Sequence, residues 1–546
     1  MRTFGTTLSL IGAALLLGAC EDPLSVQNKN NPDVERAYSK PGDIESLISG
    51  LYQQIHGVMV NVPTEGGIVP QVAALSTESY GTVANYGMAL RNAIPRVAIQ
   101  NGRGNQTGEG TFRDFREFSK LARSAANGII ALDKLGGAGL GSPGRNARAR
   151  AFAFFSLGSA LGNLALVYDS AAIVLSTTAV DEIPPLSSYQ NVMAAALQQF
   201  DSAIAIASTA PAATSDFTMA DWIRGNTLNA AAFIRVVRSH KARFRAGVAR
   251  TPTERAAVNW DQVIADATNG ITADLNISTS NDAGWAQGWL ASVYRYQGWG
   301  ASAPFYVGMA DTSGAFDQWL ATPLLQRQQF LIRTPDKRFP AGDTRDAQIT
   351  ASGTLPSGNL YFRNRPVGED TPGDPYGNSQ YDHYRFRGLV LNNANRVGTW
   401  PTFTKAENDM LAAEGYIRKG QIAQAAALID ITRTKNGLLP LTGAVATASD
   451  PVPGGTACVP RVPVAPFNHA ACGTIMEAMK YEKRLETAYT GYAQWWVDAR
   501  GWGDLVEGSA LQFPVPYQEM DARQGLFYDL GGVGGPSGAA KGTYGY

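Results

Sequence analysis

The stretch FTKAENDMLAAEGYIRKGQIAQAAALIDITRTK, residues 403–435, decides the fold of this chain. Its apolar residues recur every three or four positions on either side of one break, RKGQ at 418–421. The pattern therefore predicts two helices, over about 403–419 and 421–435. Helices of about 15 residues joined by a tight turn that contains glycine are typical of a tetratricopeptide hairpin. Hairpins of this kind stack on one another, so we expect a helical-repeat scaffold.

The same periodicity recurs in the first half of the chain. It predicts a helix that starts at Asp43, whose carboxylate can cap it, and a further series of helices. The later members are expected at about 112–135, 145–168, 187–207, 226–248 and from 259 onward. Alanine is frequent in two of these segments, and small side chains let neighbouring helices approach closely. The fold class is therefore mainly α.

Residues 275–400 differ in composition from the segments on either side. Glycine, proline, asparagine and aromatic residues dominate there and the helical period fades, which predicts long loops with short strands or helices. Loops of this length are usually either functional or disordered, and the aromatic content argues against disorder. We therefore expect the ligand-facing part of the protein in this region, packed against the scaffold.

The N-terminus has the pattern of an export signal. Arg2 precedes an apolar stretch that ends in LLLGAC at residues 15–20. The segment LGAC resembles the lipobox of bacterial lipoproteins, in which cleavage before the cysteine leaves an acylated N-terminus carrying chains such as palmitate. We predict a signal peptide over 1–19, lipidation of Cys20 and a tether over 20–40. An ordinary signal peptide with a chance cysteine is the alternative.

The overall charge balance limits the class of partner. The chain holds 46 Lys and Arg residues and 46 Asp and Glu residues. Arg2 is the only charged residue in 1–19, so cleavage leaves one net negative charge on the mature chain. Nucleic-acid binding favours a basic surface, so no nucleic-acid partner is expected.

The two remaining cysteines, Cys458 and Cys472, form an even set in an exported chain, which predicts one disulfide. Two free thiols are the alternative. His469 lies nearby, but no second Cys/His pair completes a zinc site, and no other metal or cofactor site is predicted. The run Gly139–Gly144 matches G-x-G-x-x-G, yet a helix precedes it and a proline lies inside it. It is therefore interpreted as an interhelical loop.

Several stretches, taken in order, resemble the SusD/RagB family, the lipid-anchored nutrient-binding partners of outer-membrane TonB-dependent transporters. They are PGDIESLISGLY at 41–52, ANGIIAL at 126–132, AEGY at 413–416 with KG at 419–420, YEKRLE at 481–486 with GY at 491–492 and WWVDARGWG at 495–503, and FPVPYQE at 513–519. The family's Glu-Arg pair is split here as Glu482-Lys483-Arg484, and a glycine-rich tail at 531–546 replaces the usual Asn-rich end. The chain thus resembles a divergent member, and ligand contacts do not transfer residue by residue.

The resemblance implies a SusD-like fold in which 41–546 form one domain. Its parts would be an N-terminal helical part at 41–274, a loop-rich ligand region at 275–400 and a C-terminal part at 401–546. It also implies a non-catalytic protein without cofactors, lipid-anchored in the outer membrane and facing the cell exterior. There it would bind a nutrient, most commonly a glycan or oligosaccharide, and deliver it to a TonB-dependent outer-membrane transporter.

Aromatic residues of the 275–400 region are the candidate ligand contacts, because flat rings with polar edges suit the apolar faces and hydroxyl groups of sugars. The candidates are Trp285, Trp289, Tyr294, Tyr296, Trp299, Tyr376, Tyr381 and Tyr384. Each of these rings has the alternative of serving as a core or loop anchor.

Two other classes of function stay open from the residues alone. One is a helical-repeat scaffold lipoprotein that binds only envelope proteins. The other is a surface glycoside hydrolase, since that chemistry needs only two carboxylates and no particular pair is marked. The charged cluster at 482–500 is interpreted as an ion-pair network that ties helices together rather than as a catalytic site.

Overall fold

The computed structural model describes residues 40–60, 67–105, 108–136, 139–179, 181–209, 215–296, 298–370, 373–392 and 394–546. Helices predominate, as predicted. In chain order they are α1 Pro41–Ser49, α2 Leu51–Met59, α3 Val69–Leu75, α4 Met88–Asn92, α5 Gly108–Lys134, α6 Pro143–Val167, α7 Tyr189–Thr209, α8 Ala230–Gly247, α9 Pro252–Ala256, α10 Trp260–Thr268, α11 Gly288–Arg295, α12 Pro304–Val307, α13 Ala315–Ala321, α14 Arg345–Ser352, α15 Arg387–Leu391, α16 Lys405–Arg418, α17 Ile422–Lys435, α18 Ile475–Thr487, α19 Gln494–Trp502 and α20 Tyr517–Ala522.

The predicted long helices are confirmed, and the largest correction is near the N-terminus. The first predicted helix is two helices, α1 and α2, which meet at Gly50. The residue before α1 is Lys40, which makes no side-chain cap, and Asp43 lies inside the first turn. The prediction that Asp43 caps this helix was therefore wrong. Its acidic side chain remains favourable there, because the helix N-terminus carries partial positive charge.

Local sequence explains where the scaffold helices start and stop. Ser142 accepts a hydrogen bond from the Arg145 backbone N–H at the start of α6, and Pro143 occupies its first turn. Thr404 caps α16 in the same way, accepting from the Glu407 N–H at 3.0 Å. Between α16 and α17 the chain turns through Gly420, whose φ is +71°. Glycine adopts this left-handed conformation without the penalty that a Cβ brings.

The scaffold helices pack largely in chain order. α5 packs on α6, α6 on α7 and α7 on α8, and then α8 packs on α10 and α10 on α16. The hairpin α16–α17 and helix α18, which contacts both of its members, complete the series. Close approach depends on glycine at two points of α6. A Cβ at Gly158 would lie 2.9 Å from Phe200, and one at Gly162 would lie 2.2 Å from Phe244.

The chain also contains short pairs of antiparallel strands between its helices. The strands are β1 Ala98–Ile99, β2 Ser170–Ala172, β3 Leu186–Ser188, β4 Met219–Ala220, β5 Thr227–Leu228, β6 Leu275–Thr279, β7 Phe362–Asn364, β8 Tyr381–His383, β9 Gly398–Phe403, β10 Arg461–Val464, β11 His469–Cys472 and β12 Leu530–Gly531. The pair β6–β9 brackets the loop-rich region, with Leu275 opposite Phe403 and Thr279 opposite Gly398. The chain therefore enters and leaves this region through a single two-stranded ribbon. Inside the region it forms short helices and the pair β7–β8.

A large apolar core runs through the scaffold and continues into the 275–400 region, and a smaller one lies between α16, α17 and α18. Helix α6 is the one helix of the described residues that is long and apolar enough to cross a membrane, and it is largely buried inside this core. Cys458 and Cys472 form a disulfide with a Cα–Cα distance of 5.7 Å beside the smaller core. Cys20, the signal peptide at 1–19 and residues 20–39 of the tether lie outside the described residues.

The C-terminal charged cluster is a network of buried ion pairs. The guanidinium of Arg338 contacts Glu482 at 2.8 Å and Glu486 at 3.4 Å, which joins the loop-rich region to α18. Asp498 on α19 pairs with Arg255 at 3.2 Å and with Lys483 at 2.8 Å. These contacts confirm that the cluster ties helices together.

Arg500 is the exception within this cluster. It donates to the backbone carbonyls of Leu511 and Gly247, and no carboxylate lies within ion-pairing distance in the part of the chain that is described. Burial and the nearby Arg250 hold its pKa well below the usual range.

Candidate functional site

A cavity of about 300 Å³ opens in the 275–400 region. The C-terminal end of α11, the segment 298–301, the ribbon β7–β8 and helix α15 surround it. Its lining is Val293, Tyr294, Arg295, Tyr296, Gly298, Gly300, Ala301, Arg363, Arg365, Glu369, Asp382, His383, Tyr384, Arg387 and Leu391. The predicted ligand region and the observed cavity therefore coincide.

Tyr296 presents an aromatic surface at this cavity. Gln287 caps the start of helix α11, its side chain accepting from the Leu290 N–H, and the helix ends immediately before Tyr296. Tyr296 is 58% exposed, which is unusual for an aromatic side chain of this chain. Its ring centroid lies 6.3 Å from that of the buried Trp299, and Trp299 lies 6.4 Å from Trp289. The two tryptophans thus form a supporting layer beneath the exposed tyrosine.

Strands β7 and β8 supply the charged wall of the cavity. Arg363 and Arg365 are two residues apart, and alternate residues of a strand share one face. Both guanidiniums reach Asp382 on the facing strand, Arg363 at 2.9 Å and Arg365 at 2.6 Å. Arg363 also pairs with Glu369 at 2.5 Å. Burial opposes the charged form of Arg363, but Asp382 and Glu369 outweigh it and raise its pKa.

Two further arginines face the cavity with weaker pairing. Arg387 donates to the Thr354 carbonyl at 3.0 Å, and its nearest carboxylate oxygen is that of Glu369 at 3.9 Å. Burial and repulsion from Arg363 lower the pKa of Arg387. Arg295 is exposed, and no carboxylate lies within 4.0 Å of its guanidinium among the residues described.

His383 is the only histidine that lines the cavity. Its Nδ1 lies 3.5 Å from the hydroxyl of Tyr294, at the limit of a hydrogen bond. Burial, together with the charge of Arg385, holds the pKa of His383 well below its ordinary value, so the ring is neutral at physiological pH. No group of three or more His, Cys, Asp or Glu side chains suited to a metal ion occurs in the described ranges. Hydrogen-bonding groups and one exposed ring therefore dominate the chemistry of this cavity.

The candidate aromatic residues divide into two sets. Tyr294, Tyr296 and Tyr384 line the cavity. Tyr384 nevertheless has no accessible surface of its own, and its hydroxyl donates to the Ser352 carbonyl at 2.8 Å. Tyr296 is the member whose ring is open to a ligand.

The other candidates are buried packing residues, and their contact with a ligand stays a prediction. Trp285 is buried against Tyr52, with ring centroids 6.5 Å apart, and Tyr381 has no accessible surface. Tyr376 donates to Asp374 at 2.9 Å and is nearly covered. Trp289 and Trp299 are the buried support of Tyr296 described above. Their burial depends on contacts with distant parts of the chain that local composition does not reveal.

Sequence reasoning missed the cavity arginines. A signal was available in the FRNR run at 362–365, where two arginines alternate along a segment that is too short to show a clear strand period. Arg295 and Arg387 carry no comparable local pattern. They reach the cavity from the ends of α11 and α15.

Comparison with known proteins adds information about the fold. No family model matches the chain, and no curated protein matches it. Among solved structures, it is similar to a surface glycan-binding protein A from Bacteroides uniformis, with a TM-score of 0.52 and 10% identity over 89% of this chain and 99% of that one. It is also similar to a SusD homologue from Parabacteroides distasonis, with a TM-score of 0.50 and 14% identity over 84% of each chain.

These likenesses extend over most of both chains. The protein is therefore a helical-repeat protein with a SusD-like fold, as the sequence motifs indicated.

Proposed function

We propose that this chain is a glycan-binding protein of the SusD type, and that the cavity between α11, β7–β8 and α15 is where it holds its ligand. The observation that carries the proposal is the exposed ring of Tyr296 beside a wall of arginine and carboxylate side chains. An aromatic face packs on the C–H groups of a sugar, and charged groups nearby accept or donate hydrogen bonds to its hydroxyls. The resemblance in fold to a surface glycan-binding protein supports this assignment.

The cavity is built for binding rather than for bond cleavage. A glycoside hydrolase needs one carboxylic acid that holds a proton for the leaving group. Both cavity carboxylates instead accept hydrogen bonds from Arg363, and Asp382 accepts from Arg365 as well. We therefore propose a non-catalytic role, in which the protein captures the glycan without altering it.

The location and the partner belong to the same proposal. Acyl chains on Cys20 would hold the protein on the outer membrane, with residues 20–40 as the tether and 41–546 as one domain facing the cell exterior. Two or more acyl chains give firm anchoring where one would be marginal. The ligand would then pass to a TonB-dependent transporter. Cys20→Ser should move the protein from the membrane to the soluble fraction, and the transporter should co-purify with the unmodified protein.

The binding proposal is tested with full-length protein in detergent against a panel of soluble polysaccharides. Affinity gel electrophoresis finds the binders, and calorimetry measures the dissociation constant of the tightest. Tyr296→Ala is expected to weaken that constant at least tenfold, which is about 1.4 kcal/mol, because the stacking surface is lost. Phe527→Ala is the matched control, since Phe527 is 37% exposed and lies outside the cavity.

Two outcomes would overturn the proposal. One is a panel on which no polysaccharide binds while the transporter or another envelope protein still co-purifies, which would favour the scaffold function. The other is unchanged affinity for Tyr296→Ala. Turnover of a polysaccharide by the purified protein alone would refute the non-catalytic role.

A further inference from the structure

The cavity carries more positive than negative charge. Four guanidinium groups line it, from Arg295, Arg363, Arg365 and Arg387, and two carboxylates, from Glu369 and Asp382. The chain as a whole has equal numbers of basic and acidic residues, so this excess is local. A concave site with charge of one sign concentrates ligands of the opposite sign.

The pairing within the cavity shows which charges remain available. Asp382 accepts from Arg363 and Arg365, at 2.9 and 2.6 Å, and Glu369 lies 2.5 Å from Arg363. Both carboxylates are thus engaged by Arg363 of β7 and by Arg365, which directly follows the strand. Arg387 lies 3.9 Å from its nearest carboxylate oxygen, and Arg295 has none within 4.0 Å in the described part of the chain.

A third cation, Arg396, interacts electrostatically with Arg295. Arg396 feels repulsion from Arg295, which adds to the effect of burial in lowering the Arg396 pKa. Tyr296 lies in the same neighbourhood, since its phenol acts in the opposite direction on Arg396. Arg396 does not line the cavity, so Arg295 is the cation that stands beside the exposed ring of Tyr296 in the cavity lining.

We infer that the cavity takes an acidic glycan, with a carboxylate or sulfate group of the sugar held by Arg295 and Arg387 while the sugar ring packs on Tyr296. This inference rests on the proposed function and names the class of glycan. A guanidinium group can donate two parallel hydrogen bonds to two oxygens of a carboxylate or of a sulfate, and these charge-assisted hydrogen bonds hold the anion. A neutral glycan would leave Arg295 without a counter-charge and Arg387 with only the distant carboxylate of Glu369, 3.9 Å away.

Matched polysaccharide pairs test the inference, because each pair shares its sugar rings and differs in charge. The carboxylate arm compares polygalacturonate with its methyl ester, and the sulfate arm compares dextran sulfate with dextran. Full-length protein is titrated with each at 50 mM NaCl. We expect an acidic member of at least one pair to bind at least tenfold more tightly than its neutral counterpart. The arm that binds identifies the anion.

Single-residue variants distinguish specific binding in the cavity from non-specific electrostatic attraction of the protein to polyanions. Arg295→Gln and Arg387→Gln are each expected to weaken the acidic ligand about tenfold. Arg235→Gln, which removes an exposed arginine on α8 outside the cavity, should leave the affinity unchanged. Arg295 lies on the surface and has no ion pair among the residues that the structure describes, so its replacement is not expected to affect folding. Thermal unfolding checks this for all three variants.

The outcomes distinguish this inference from the proposed function. Neutral members that bind as tightly as acidic ones, with loss on Tyr296→Ala, would overturn the acidic preference and retain glycan binding. Acidic binding that the two cavity variants do not weaken would also overturn it. If no polysaccharide of the four pair members or of the wider panel binds, both proposals fail together.

Discussion

Replacing Arg338 with methionine is expected to destabilise the protein strongly, because this arginine forms ion pairs with three buried carboxylates. Its guanidinium lies 2.9 Å from Asp336, 2.8 Å from Glu482 and 3.4 Å from Glu486. The side chains of Arg338, Asp336 and Glu482 have no accessible surface, and that of Glu486 is 3% exposed. Methionine retains the apolar stem and removes the charge.

The magnitude follows from the burial of the acids that remain. Removing one partner of a buried ion pair costs about 3–5 kcal/mol, since the other partner stays buried without compensation. Burial raises the pKa of Glu482 even with Arg338 present. Without Arg338 the pKa of Glu482 should rise further. As the pH falls, the buried carboxyl groups then take up protons, which lowers the free-energy cost of burying their charge. We therefore expect a loss that is largest near neutral pH and smaller at pH 5.

Urea unfolding, followed by tryptophan fluorescence at pH 7.5 and at pH 5, measures both effects. Arg333→Met is the matched control, because Arg333 pairs with Asp343 at 3.2 Å in a solvent-exposed position. A surface pair of this kind contributes about 0–1 kcal/mol. A loss below about 1 kcal/mol for Arg338→Met at pH 7.5 would refute the reasoning. So would a loss that does not change with pH.

Three further changes test other parts of the fold. Glu78 accepts a hydrogen bond from the Tyr489 N–H at 2.8 Å, and burial raises its pKa from 4.5 to about 7. The folded state then disfavours the ionised carboxylate. The contribution of Glu78 to the free energy of unfolding of the wild type should therefore fall by about 3 kcal/mol between about pH 4.5 and 7 and stay constant above pH 7. The variant Glu78→Gln should not show this fall. Replacing both Cys458 and Cys472 with serine removes a link across 14 residues, and chemical denaturation should show a loss of about 3 kcal/mol. Gly420→Ala puts a Cβ on a residue with φ of +71°, where no atom lies within 4 Å, so thermal unfolding should show a backbone penalty alone of about 1–2 kcal/mol.

Each of these has a result that would contradict it. Identical pH dependence for wild type and Glu78→Gln would show that Glu78 does not titrate in this range. If reduction of the disulfide leaves the stability of the wild-type protein unchanged, the disulfide does not stabilise the fold. Gly42→Ala is the control for Gly420→Ala, because Gly42 lies in α1 without a positive φ and with open space around it. Equal effects of the two substitutions would rule out backbone strain at 420.

The scaffold was predictable because its helices are long enough to show a period. The hairpin α16–α17 and the helices from α5 to α8 follow their apolar patterns to within a few residues. Helices of four to eight residues, such as α4 or α15, are too short to display two turns of a pattern and were not located. The break between α1 and α2 was missed because the apolar residues continue in register through Gly50.

The site was predictable as a region and only partly as residues. Aromatic density pointed to 275–400, and Tyr296 proved to be the exposed ring. Burial of Trp285 comes from Tyr52, more than two hundred residues earlier in the chain, a contact that one segment cannot reveal. The arginines were missed because Arg295 and Arg387 are far apart in the sequence and line the same cavity only in the folded chain.

The crystal structure of the full-length protein with its tightest-binding oligosaccharide tests the central claim most directly. We predict a sugar ring packed on Tyr296 in the cavity between α11, β7–β8 and α15, with an acidic substituent within 3.5 Å of Arg295 or Arg387, a hydrogen-bond distance. A bound sugar elsewhere on the protein, with this cavity vacant at saturating ligand, would contradict the claim.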